Sequence, residues 1–212
     1  MTSDFFLYLR LGFEHISDLK GFDHIVFIVA LCAVYSLRQW KNLLWLVTAF
    51  TIGHSITLAL ATLNIVRIDA NLIEFLIPVT ILIASLIDLT EGWLGRKGPD
   101  RAAASRSTVQ PQATFGLRTK YGLALSFGLI HGLGFSNFLR AVLGAEESIA
   151  LPLFAFNVGL EFGQIVILLV VLTVSFVIVR LTPLTNRNWA VVLSVITGAI
   201  AISMLFSRAA NL

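Results

Sequence analysis

The segment PLFAFNVGLEFGQIVILLVVLTVSFVIV, residues 152–179, contains one charged side chain, Glu161. As an α-helix rising 1.5 Å per residue it would be about 42 Å long, more than the roughly 30 Å of hydrocarbon in a bilayer. No soluble fold tolerates so long an unbroken apolar run, so this stretch reads as a membrane span.

The rest of the chain agrees. Of 212 residues, 57% are hydrophobic and only 13% charged, whereas a soluble domain carries about a quarter charged residues. Further apolar runs at about 22–38, 43–63, 72–92, 121–140 and 190–207 give an expected all-α polytopic membrane protein with six transmembrane helices. It forms one integral membrane domain over 1–212. Residues 1–20 are expected as an interfacial N-terminal segment, because FFLYLRLGFEH mixes aromatics with Arg10 and Glu14. Residues 22–92 hold the first three spans, 93–120 a Gly/Pro/Ser-rich cytoplasmic linker, and 121–207 the last three. No cleaved signal peptide is expected, since a basic n-region and cleavage site are lacking.

Six spans place both termini on one side, with Arg10, Lys20, Arg67, Arg140 and Arg208. The other ten Lys and Arg residues fall opposite, so the positive-inside rule predicts both termini extracytoplasmic in the cytoplasmic membrane. The basic excess is thereby read as topology and lipid-headgroup contact, with no nucleic-acid surface implied. The bilayer is one expected partner, a metal ion another, and a homo-oligomer is compatible with the sequence. The single cysteine, Cys32, excludes an intrachain disulfide and a thiolate cluster.

Polar groups inside hydrocarbon are costly, so their positions carry information. They are Asp23 and His24 at the start of the first span, His54 in the second, Glu74 opening the third, His131 in the fourth, and Asn157, Glu161 and Gln164 in the fifth. The last three share a helix face, being spaced by four and three residues. Thr48, Thr51, Ser55 and Thr62 line one face of the second span with His54 at its edge, and Thr57 falls off it. Gly128, Gly132 and Gly134 around His131 allow close approach of a neighbouring helix. FTIGH and FGLIH, in the second and fourth spans, share an F-x-x-x-H pattern that could reflect a repeat. A single intramembrane His often does no more than bond a neighbouring carbonyl. Glu74 could be a simple helix cap. Asp88 and Glu91 read as acids snorkelling toward Arg96 and Lys97.

Imidazole nitrogens with carboxylate and amide oxygens suit a divalent transition metal, Ni²⁺, Co²⁺, Zn²⁺ or Fe²⁺. The blocks GFEHISDLKGFDHIVF, VTAFTIGHSITLAL, LIEFLIPVTI, FGLIHGLGFSNFL and FNVGLEFGQ together resemble the HupE/UreJ membrane proteins. That resemblance implies nickel or cobalt uptake for hydrogenase and urease assembly, by a permease whose His and Asp-His signature falls here on His15, Asp23 and His24. Seven residues separate His15 from Asp23, where five are usual in the family. The expectation is capture by Asp23 and His24 at the outer mouth and transfer to a deeper unit of His54, His131 and Glu161, with Asn157 and Gln164 supplying oxygens. Gly21 would permit a break before the first span. The alternative is an intramembrane metalloenzyme that keeps its ion for hydrolytic or redox chemistry.

Overall fold

A computed structural model describes residues 2–19, 21–94, 116–143 and 149–210. Among them the chain is entirely helical: α1 Thr2–Ser17, α2 Asp23–Cys32, a 3₁₀ turn at Leu37–Gln39, α3 Trp40–Thr62, α4 Ala70–Leu94, α5 Leu117–Gly134, α6 Ser136–Leu143, α7 Ala150–Leu181 and α8 Asn186–Ala209. Most of the expected linker, 95–115, lies outside the described residues.

Among the described residues, four helices are long and apolar enough to cross a membrane: Trp40–Thr62, Ala70–Glu91, Ala150–Leu181 and Asn186–Ala209. The expected first span is different. Its helix, α2, has 10 residues and stops at Cys32, about 15 Å in length and half of what hydrocarbon requires. The fourth expected span, α5, is 18 residues and opens with Arg118 and Lys120. The N-terminal segment, expected in the interface, is the 16-residue α1, and it packs lengthwise on α7.

The helices meet through glycines. A methyl group on Gly12 would strike the carbonyl of Phe156 and approach Leu160 N, and one on Gly128 would strike the carbonyl of Phe50 and approach His54 N. Gly159 is shut against the Leu9 carbonyl, and Gly53 against that of Leu125. The same contact is thus made twice, by α1 on α7 and by α5 on α3, and in each case the partners run parallel. It has a sequence imprint: Leu11-Gly12-Phe13-Glu14-His15 stands where Phe127-Gly128-Leu129-Ile130-His131 stands, and Phe50-x-x-Gly53 where Phe156-x-x-Gly159 stands. Small residues let backbones close to this distance, which replaces the hydrophobic drive that lipid cannot supply.

Direction completes the pattern. Thr80 on α4 meets His131 on α5, and Glu91 meets Lys120, so α4 and α5 are antiparallel. Ser85 bonds Thr197 at 2.8 Å while Arg208 reaches Glu74, so α4 and α8 are antiparallel too. The short link from α7 to α8 makes α7 parallel to α4. The halves α1–α4 and α5–α8 therefore repeat the same order of helices with inverted direction: α1 matches α5, α3 matches α7 and α4 matches α8. The short α2 and α6 fill corresponding places in sequence. The F-x-x-x-H match between FTIGH and FGLIH thus joins packing partners, whereas the structural repeat relates α1 to α5 and α3 to α7.

Two ends of the bundle can be named by their residues. At one, Asp23, Glu74 and Arg208 meet; at the other, Tyr35, Asp88, Glu91 and Lys120.

A candidate metal centre

Four imidazoles from four helices converge between the repeats. His15 closes α1, His24 opens α2, His54 lies in α3 and His131 in α5. Ring centroids are 4.7 Å apart for His15 and His24, 5.9 Å for His15 and His54, and 5.1 Å for His24 and His131. In the trio His15, His24 and His54, one nitrogen from each lies within 4.8 Å of the others. His54 is fully buried, His131 and His24 nearly so, and His15 is half-buried.

The backbone explains how His15 joins. The seven residues between His15 and Asp23 are accommodated by ending α1 at Ser17 and restarting the helix at Asp23, with a turn at Gly21–Phe22. That break brings the two ends together, so that His15 and His24 meet edge to face.

Neighbouring groups orient two of the rings. His24 Nδ1 lies 3.1 Å from Asp23 Oδ1, which also accepts the His24 backbone N–H at 3.0 Å. The proton is therefore assigned to Nδ1, and the Nε2 lone pair faces away from the carboxylate. Asp23 Oδ2 accepts from Arg208 Nη2 at 3.2 Å. Arg208 Nη1 donates to the Glu74 carbonyl at 2.7 Å. That carbonyl is free because Pro78, four residues on, has no N–H to offer it. For His131, Nε2 is 2.9 Å from Thr80 Oγ1, whose own proton goes to the Ile77 carbonyl at 2.7 Å. Nε2 is then the donor and Nδ1 carries the lone pair. Such partners fix tautomer and ring orientation at metal sites.

What remains is a set of nitrogens with nothing to bond. His15 Nε2, His24 Nε2, both nitrogens of His54 and His131 Nδ1 are buried without a hydrogen-bond partner. Around them stand Phe27, Phe50, Phe135 and Phe156, with His15 and Phe135 centroids 3.8 Å apart. An unpaired polar atom in an apolar cage costs a few kcal/mol, and a cation accepting one lone pair from each ring would remove most of that cost, the second His54 nitrogen carrying the proton. The donor set is all imidazole with one adjacent carboxylate and no thiol, which fits a borderline divalent ion.

A family model described as HupE / UreJ protein matches residues 1–208. The chain belongs to the HupE/UreJ family. No curated protein and no solved structure matches. Within this HupE/UreJ chain the resemblance noted from His15, Asp23 and His24 thus covers nearly every residue, including the helices that contribute His54 and His131.

Other sequence candidates fall elsewhere. Glu161 Oε1 accepts from the Thr48 hydroxyl at 2.6 Å and Gln164 Oε1 from Thr51 at 2.7 Å, cross-linking α7 to α3. Asn157 donates to the Leu153 carbonyl at 2.8 Å, leaving Oδ1 without a partner. Glu74 is exposed, and its carbonyl accepts from Arg208. Asp88 is buried and Glu91 meets Lys120 at 2.6 Å, while Arg96 and Lys97, toward which both acids were expected to reach, lie outside the described residues. Thr57, expected off the polar face, is buried against Gly132.

Sequence reasoning missed Thr80 and Arg208. The signal for Arg208 was present in Pro78, which guarantees an unbonded carbonyl one turn earlier.

Proposed function

We propose that the protein binds a divalent transition metal, nickel or cobalt first, at His15, His24, His54 and His131, and moves it across the cytoplasmic membrane. The observation that carries this reading is the set of five buried, unpartnered imidazole nitrogens at the seam of two inverted repeats. Secondary transporters commonly place their ion site where inverted repeats meet, on helices that are interrupted there. The broken pair α1 and α2 supplies two of the four rings in this way.

On this reading there are six crossings, with α1 and α2 together counted as one discontinuous crossing and α5 as another. The end carrying Lys120 is cytoplasmic by the positive-inside rule, and both termini are outside. Asp23, itself paired with Arg208, orients His24 near the outer mouth, where the exposed Glu74 also lies. Glu161, Gln164 and Asn157 on α7 offer oxygens along the ion's path, and rocking of one repeat against the other opens the cluster to each side in turn.

Nickel uptake into proteoliposomes tests it. The full chain should carry nickel inward and His54→Ala should not. One tightly retained ion per chain without flux would contradict transport and favour a metal kept for chemistry.

A further inference from the structure

Twelve ångströms or so from the imidazoles, eight residues along α4 from Thr80, a second polar cluster is enclosed in the Lys120 end. Asp88 is 7% exposed, and its Oδ2 has no hydrogen-bond partner. The Tyr35 hydroxyl is likewise buried and unpartnered. Lys120 donates to Glu91 at 2.6 Å and stands 5.1 Å over the Tyr35 ring. Asp88, Tyr35, Lys120, Leu46 and Phe127 line a half-open cavity of about 30 Å³, room enough for a water molecule.

The charges do not balance. The groups that face Asp88 among the described residues are Lys120 and Glu91, with the neutral Tyr35 and Cys32. Among the described residues Lys120 is matched by Glu91, so an ionised Asp88 leaves one net negative charge among these groups at a largely apolar site, which is costly. A divalent ion would overcharge the site and meet the Lys120 ammonium. One proton neutralises it.

We propose that Asp88 is a reversible proton site. A hydronium ion reaching the cavity from water at the Lys120 end gives its proton to Asp88 Oδ2, forming the carboxylic acid and leaving water; the reverse step returns it. The Tyr35 hydroxyl bonds the water that relays the proton. Its use, coupling proton movement to metal movement, rests on the transport reading above.

Infrared titration of the full chain in nanodiscs, without metal, reads the site alone. The wild type should show a protonated-carboxyl stretch that appears on acidification and vanishes reversibly on neutralisation. Asp88→Asn should lack that band, and Tyr35→Phe should keep it at a shifted frequency. A band unchanged in Asp88→Asn, or no titrating band in the wild type, overturns the proposal. Vesicles loaded with a pH-sensitive dye then read the coupling. Nickel should change luminal pH with the wild type and not with Asp88→Asn. Nickel uptake by the wild type with no pH change overturns the coupling and leaves transport standing. A titrating Asp88 band with no nickel uptake supports the proton site and removes transport.

Discussion

Replacing Asp23 by Asn separates charge from shape. The amide keeps an oxygen for His24 Nδ1–H and for the His24 backbone N–H, but loses the charge that strengthens the 3.1 Å contact and the 3.2 Å bond from Arg208. Changing an outer-shell carboxylate of this kind costs about 10- to 100-fold in metal affinity, equivalent to roughly 1.4–2.8 kcal/mol. The loss should not be larger, because the four imidazoles stay in place. Glu161→Gln provides the contrast: its Oε1 serves Thr48 on α3 rather than any ring, and a glutamine oxygen accepts that bond as well. Competition against a metal chelator, with purified protein in nanodiscs, should therefore show Asp23→Asn weakened by one to two decades and Glu161→Gln by much less. Equal affinities for Asp23→Asn and wild type, or a greater loss in Glu161→Gln, would refute the assignment of Asp23 to His24 and move the charge that matters onto α7.

Further expectations follow from the same contacts. Thr80→Val removes the group that makes His131 Nε2 a donor, so nickel should bind about 10-fold or more weakly, with Thr80→Ser restoring it. Gly12→Ala and Gly128→Ala should each cost about 1–3 kcal/mol by forcing parallel helices apart, read as lowered thermal stability, whereas Gly122→Ala, with open space at its Cβ, should cost nothing. In a Cys32→Ala background, a cysteine at Ile68 should react with an impermeant reagent from outside and one at Asn186 only from inside; the reverse pattern would invert the proposed direction of transport.

Helix content and the polar positions were legible because hydrocarbon leaves few alternatives: a run such as 152–179 has one reading, and a polar side chain in such a run, Glu161 there or His54 in the second span, has to be explained. Span count was less legible. Hydropathy registers apolar length, and the run at 22–38 continues past Cys32, where the backbone turns into the 3₁₀ segment before α3. The partners of the rings were also hidden. His54 was grouped with Glu161 because both lie deep in their spans, but depth along an axis does not say which face looks where, and α7 turns Glu161 toward Thr48. The seven-residue gap that set His15 apart is absorbed by the break between α1 and α2, a backbone event that no side-chain pattern specifies beyond Gly21. The inverted repeat escaped because its imprint is sparse: a G-x-x-H and an F-x-x-G, each shared between helices that run in opposite directions.

X-ray absorption of the nickel-loaded full chain tests most directly the claim that these imidazoles form one metal site. Scattering from at least three imidazole rings, with no sulfur neighbour, is the expected result, and His54→Ala should lose metal or ring scattering. A shell of oxygen alone, or one with a single imidazole, would place the ion outside the cluster and contradict the account.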